Sequence, residues 1–117
     1  DYNKNRSLEI ITYEQKIKEH KEPKCDIIFD VSIFSTKIEK TDIKKLNGKD
    51  EIIQNAIIQH PIYNILIETV IKEIEKNELK VISFVCNHGK HRSVGWAEIL
   101  KKFYYPNAKI KHLRKFN

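Results

Sequence analysis

The sequence predicts a small α/β sandwich with a partly parallel sheet, and three observations carry that prediction. "LKVISFVC" (79–86) is a nearly continuous apolar run of strand length, the pattern of a central strand covered on both faces. Residues 62–77 repeat apolar positions at helical spacing, with Glu and Lys opposite. Segments of strand type and helix type then alternate toward the C-terminus, which calls for crossovers between parallel strands.

Taken in order, "LEIITYEQKI" (8–17) is β-branched and imperfectly alternating, so it reads as the first strand. "KEHKEPK" (18–24) is a polar, proline-containing connection. "CDIIFDVSIF" (25–34) is a buried-type strand interrupted by Asp26 and Asp30. From Asp50, "DEIIQNAIIQ" reads as a helix entered from the "NG" at 47–48 and stopped at His60-Pro61. Pro61 suits the first position of a second helix, whose apolar face is Ile62, Ile65, Leu66, Thr69, Val70 and Ile74. After the central strand, "SVGWAEILKKFYY" (93–105) is helical, with Val94, Ala97, Ile99, Leu100 and Phe103 inward, and Pro106-Asn107 ends it. "AKIKHL" (108–113) supplies a last short strand. The 117 residues suffice for a single domain, 1–117, with one modest core.

Composition narrows the class further. With 40% hydrophobic and 32% charged residues, the chain is neither disordered nor membrane-embedded in character. No apolar run approaches the roughly 20 residues of a spanning helix. "DYNKNRSLEI" has no secretory apolar centre. Two cysteines, Cys25 and Cys86, are too few for a disulfide framework, so both read as reduced thiols of a cytoplasmic protein. The net charge of +6 arises entirely after residue 98. Every acid lies at or before Glu98, where Lys and Arg balance them; beyond it stand Lys101, Lys102, Lys109, Lys111, Arg114 and Lys115 alone. Such a tail suits an anionic partner such as RNA through Lys109, Lys111, Arg114 and Lys115, or is simply a solvated end. Tyr104, Tyr105 and Phe116 stack on bases in the first reading and pack in the second. Trp96 reads as core.

The chemistry concentrates in "VCNHGKHRSVGW" (85–96). Cys86 closes the buried strand and Ser93 caps or starts the next helix, which gathers backbone N–H groups and the positive end of a helix dipole at one point. Gly89 permits a sharp turn and close approach of a ligand. Arg92, one of only three arginines, offers a planar fork for phosphate oxygens. Asn87, His88, Lys90, His91 and the Ser93 hydroxyl complete an anion cradle, and Asp30 ends a neighbouring strand, where it contacts a ligand amine or hydroxyl or else pairs locally. The predicted ligand is a phosphorylated small molecule. No metal site and no cofactor is expected; Cys86, His88 and His91 are too close in one tight loop to surround a tetrahedral ion.

Cys-x5-Arg-Ser, with Gly three after the Cys, also resembles the phosphate loop of cysteine-dependent phosphatases. That resemblance implies Cys86 as nucleophile and Arg92 as phosphate clamp, with Asp26, Asp30 or Asp42 as the acid by residue type alone. The plain alternative for Cys86 is a small buried residue at a strand end.

"CNHGKHRSVGWAEIL" more closely resembles the C-terminal domain of the RapZ (RNase adaptor protein) family, whose loop reads Cys-Thr-Gly-Gly-Gln/Lys-His-Arg-Ser-Val before a similar helix. "CDIIFDVSIF" is similar to that family's Asp-Val-Arg-Phe strand end, "LNGKDEIIQNAIIQHP" to its Thr-Gly-x-Asp stretch and helix, and "NAKIKHLRK" to its basic closing strand, so the likeness runs over about residues 8–115. The resemblance implies an α/β domain that senses or sequesters an amino-sugar phosphate, glucosamine-6-phosphate, contacts small RNA and forms oligomers. It carries the ligand role to Asn87, His88, Gly89, His91 and Arg92, with Asp30 facing them. The family's nucleotide-binding domain is not expected in this sequence, which has no Gly-x4-Gly-Lys-Ser/Thr. Three departures bear on the sugar rather than the phosphate. "STKIEK" replaces Asn-Pro-His-Trp, which drops the pocket histidine near Ile38; Asn87-His88 replaces Thr-Gly; and "TYEQK" replaces an aromatic-glycine segment.

Overall fold

The computed structural model describes residues 2–32, 45–87 and 91–114. Four strands form one sheet: β1 (Glu9–Glu14), β2 (Ile27–Asp30), β3 (Val81–Cys86) and β4 (Lys109–His112). Three helices accompany them: α1 (Glu51–Ile58), α2 (Tyr63–Asn77) and α3 (Arg92–Phe103). Strand order is β2-β3-β1-β4, and each described pairing is parallel, not merely some of them. All carboxyl ends therefore lie on one edge, where Glu14 stands beside Cys86 and Asp30 beside Val85.

The interior strands β3 and β1 are buried along nearly their whole length, while the edge strands β2 and β4 are partly exposed. One face of the sheet joins the main core through Ile10, Ile82, Phe84 and Cys86. On it Trp96 of α3 stacks with Phe84 (centroids 5.9 Å apart) and lies 5.4 Å from the ring of Tyr63 in α2. All three are buried, Trp96 completely. Truncating such an aromatic costs about 3–5 kcal/mol, because transfer and cavity terms add.

Two polar ties fix α3 over this face. The Cys86 thiol donates to the Ser93 hydroxyl at 3.4 Å. Farther along, the His112 ring joins the buried Thr12 hydroxyl through Nδ1 (2.6 Å) to the Glu98 carboxylate through Nε2 (2.7 Å). Because Ser93 meets Cys86 at the carboxyl end of β3 while Lys101 donates to the Ala108 carbonyl just before β4, α3 runs antiparallel to the strands. Its N-terminus sits over the carboxyl edge.

The structure revises part of two predicted helix faces. In α2 the buried positions are Tyr63, Ile67, Val70 and Ile74; Ile62, Ile65 and Thr69 are exposed. Val70 and Ile74 are buried as expected and Leu66 packs against the core, while Pro61 stays in the turn and the helix begins at Tyr63. In α3, Val94, Trp96, Ala97, Ile99 and Leu100 are buried as expected, whereas Phe103 is half exposed at 51% and Gly95 is buried. α2 ends on Glu78 in the left-handed region (φ 47°), with its N–H and that of Leu79 both donating to the Ile74 carbonyl.

A carboxylate staple joins the far ends of the chain. Glu75 accepts from Arg6 Nε (3.0 Å) and Nη2 (2.8 Å), from the Asn3 amide (3.0 Å) and from the Tyr105 hydroxyl (2.7 Å). These donors hold its carboxyl at about 2, chiefly through Arg6. Among the described residues no helix is long and apolar enough to cross a membrane.

Candidate functional site at the carboxyl edge

The strand–loop–helix unit is present, and the structure describes its two flanks. Cys86 and Asn87 close β3, and His91 leads into α3 at Arg92. His88, Gly89 and Lys90 lie outside the described residues, as do Ile38, Asp42, Lys115 and Phe116.

α3 begins without a side-chain cap. Ser93, the expected cap, is wholly buried one residue inside the helix, and its hydroxyl accepts the Cys86 thiol. The first α3 amide that meets a helical carbonyl is Gly95, which donates to His91 O at 2.7 Å. The N–H groups of Arg92, Ser93 and Val94 meet no acceptor among the described residues. They stand at the start of the helix, where amides have no partner within the helix itself and the dipole is positive.

The Arg92 side chain reaches across β3 toward β2, where Nη1 donates to the Ser32 carbonyl. Among the described residues Arg92 has no carboxylate partner. Ser32 itself follows Asp30, whose Oδ1 accepts the Ser32 amide at 2.9 Å; the exposed Asp30 thereby caps the turn leaving β2. The Ser32 hydroxyl is buried and has no hydrogen-bond partner among the described residues. Arg92, Asp30, Ser32 and the α3 amides thus share one corner of the sheet edge.

The structure adds a segment that sequence reading treated only as a helix entry. The Asn47–Asp50 turn is locked by two side-chain bonds, Asn47 N–H to Asp50 Oδ2 (2.7 Å) and Lys49 N–H to Asn47 Oδ1 (2.8 Å). Its Gly48 lies directly on the first turn of α3: an added Cβ would fall 2.1 Å from the Gly95 nitrogen and 2.7 Å from the His91 oxygen. The "NG" pair was a visible signal of a turn, but a glycine–glycine contact between distant segments has no local signature.

Other predicted residues fall elsewhere. Asp26 is at the amino end of β3, accepting the Lys80 and Val81 amides (2.9 and 3.0 Å), which lower its carboxyl below the usual range. It stands a full strand length from Arg92 and cannot serve as an acid there. Cys86 is 1% exposed within the core cluster. Lys109 and Lys111 are exposed on the outer side of β4. Arg114 is not a loose tail cation: its Nη1 donates to both oxygens of the buried Glu14, at 3.0 and 2.9 Å. Tyr105 is buried, Tyr104 packs edge-on to Tyr2, and Trp96 is in the core, so none of them is a base-stacking platform. Among the described residues no three His, Cys, Asp or Glu side chains converge on a metal position.

Fold and edge together define a parallel α/β domain carrying a strand–loop–helix unit where its strands end. The family model for the RapZ C-terminal domain matches residues 7–115, and the chain belongs to that family. A nucleotide-binding protein of Thermosipho melanesiensis is 30% identical over 95 residues, covering 73% of this chain and 34% of the relative. A nucleotide-binding protein of Shewanella loihica is 29% identical over 89 residues, covering 68% and 32%. The chain therefore spans about a third of the length of the curated relatives it matches.

Proposed function

We propose that the carboxyl edge binds a phosphorylated small molecule, of nucleotide or amino-sugar phosphate type, and that the domain acts as a sensor or sequestering module rather than as a catalyst. The observation that carries this reading is the uncapped start of α3: three amides at 92–94 without acceptors among the described residues, beside the Arg92 guanidinium. A phosphate there would satisfy donors that meet no acceptor among the described residues, with charge-assisted bonds from the guanidinium. The buried Ser32 hydroxyl supplies a further partner at the same corner. In parallel α/β sheets ligands bind outside the carboxyl ends of the strands. The names of the two relatives, both nucleotide-binding proteins, support a phosphate-bearing ligand. Asn87, His88, Gly89, Lys90 and His91 belong to the same proposed cradle, and Asp30 would take an amine or hydroxyl of the ligand.

Isothermal titration with orthophosphate, a nucleoside monophosphate and glucosamine-6-phosphate tests the reading. Arg92→Ala should weaken each by about 10-fold or more, the scale of one charge-assisted contact. Equal affinities in the wild type and the variant, with both folded, would overturn it.

A second reading, contact with RNA, rests on Lys109 and Lys111, which project from the same side of β4 into solvent. Lys115 belongs to that proposal by sequence. Arg114 is better assigned to the edge, for the reason that follows.

A further inference from the structure

We infer that Arg114, held by Glu14, forms a second cationic wall of the carboxyl-edge site and selects ligands that carry a second anionic group beyond the phosphate at α3. The inference rests on the proposed phosphate site and extends it. Residues in register across a parallel sheet point to the same face. Cys86 faces α3, because its thiol reaches Ser93. Glu14, its register partner, must therefore face α3 as well. Thr12 pairs with His112, so the same count carries the next row on to position 114, where Arg114 closes on Glu14. The row at the edge is thus Cys86, Glu14, Arg114, with the start of α3 over its first member.

Arg92 leaves that helix start toward β2, and Arg114 stands on the opposite, β4 side. Adjacent strands are about 4.8 Å apart, so two strand steps, about 10 Å, separate the Cys86 column from that of Arg114. The Arg114 side chain reaches back to Glu14 on β1, which shortens the distance to the start of α3 by about one strand step, roughly 5 Å, whereas the Arg92 side chain points the other way, to Ser32. Burial within the pair is lopsided: the Glu14 side chain is 4% exposed and that of Arg114 35%. The carboxylate lies beneath as an anchor, and the cation is the partner a ligand meets. Glu14 is a positioning residue in this arrangement, and Arg114 the contact.

Titrations with inorganic orthophosphate and inorganic pyrophosphate on the full chain test this. The wild type should prefer pyrophosphate. Arg114→Gln should cut pyrophosphate affinity about 10-fold while changing orthophosphate less than about 2-fold, and Arg114→Lys should restore part of the preference. Since Arg114→Gln alone strands a buried carboxylate, the Glu14→Gln/Arg114→Gln double variant is measured too. It should keep the fold, read by apo melting temperature, and still lack the preference. An unchanged pyrophosphate-to-orthophosphate ratio in the folded double variant overturns the inference. If Arg92→Ala weakens orthophosphate while Arg114→Gln leaves the ratio intact, only this inference fails; if Arg92→Ala has no effect either, the phosphate site fails with it.

Discussion

Gly48 rests on the backbone of Gly95 so closely that a Cβ added to it would stand 2.1 Å from the Gly95 nitrogen. The two residues are far apart in sequence, and their contact seats the Asn47–Asp50 turn on the first turn of α3. The obstacle is main chain on every side, including Val94 C at 2.6 Å, so nothing flexible can yield. Gly48→Ala should therefore displace the start of α3 and cost about 2–3 kcal/mol in urea unfolding, with phosphate affinity falling in parallel. At Gly95 the nearest obstacle is Ile57 Cδ1 at 2.4 Å, the far end of a side chain, and alanine also gains up to about 1 kcal/mol in helix propensity. Gly95→Ala should stay within about 1 kcal/mol of the wild type. Equal losses at both positions would contradict this account of the contact.

Glu75 sets a pH limit on stability. Its folded carboxyl sits at about 2 against an ordinary 4.5, chiefly because Arg6 bonds the charged form. A depressed carboxyl contributes stability that is complete above the unfolded value and disappears as pH falls through the folded one. The staple should thus be at full strength above about pH 5 and lost progressively between 4.5 and 2. The contribution is up to about 3 kcal/mol. Glu75→Gln should lower neutral-pH stability by an amount of that order and flatten the acid limb of the melting profile over this window. An acid limb as steep in the variant as in the wild type would refute the assignment.

The limits of reading the sequence can be traced to particular residues. β1, β3, α1, α3 and β4 follow from local pattern and are found within a few residues of their expected bounds, because run length and punctuation are local properties; β2 starts close to its expected beginning, and its expected end at Phe34 lies outside the described residues. In α2 the helix opens at Tyr63; Val70 and Ile74 are buried as expected, while Tyr63 and Ile67 take the inward places expected of Ile62 and Ile65. The roles of Arg114 and Gly48 were invisible for a different reason. Both depend on partners many residues away, Glu14 and Gly95, and no spacing within either segment encodes them. Arg92 stands out in the sequence by its rarity in a lysine-rich chain and its placement after a buried strand, but its contact with the Ser32 carbonyl has no local signature.

Cys86 distinguishes a binder from a phosphatase. Its thiol is 1% exposed, belongs to the main apolar cluster and donates to Ser93. A buried thiol in such a cluster contributes packing volume, and its bond to Ser93 is a weak one. Cys86→Ser should leave the affinities for orthophosphate and pyrophosphate within about 2-fold of the wild type and cost about 1 kcal/mol of stability. The wild-type chain should release no phenolate from an aryl phosphate above the uncatalysed rate. Turnover that is present in the wild type and abolished in Cys86→Ser would instead make the thiol a nucleophile and reverse the reading of the loop.

The basic end of the chain divides into two populations with different expected behaviour. Lys109 and Lys111 are solvated on an edge strand, whereas Arg114 is bound to Glu14. Contacts to an RNA backbone release counterions, so each lost phosphate contact lowers the slope of log affinity against log salt by roughly 0.7–0.9. Lys109→Ala/Lys111→Ala should reduce that slope by about 1.5 and weaken RNA of any sequence alike, while leaving orthophosphate binding untouched. Arg114→Gln should do the reverse, altering the pyrophosphate preference with little change in the salt slope. Loss of RNA affinity in Arg114→Gln equal to that of the double lysine variant would return Arg114 to the nucleic-acid surface, and the exposed face of β4 would no longer suffice to explain the contact.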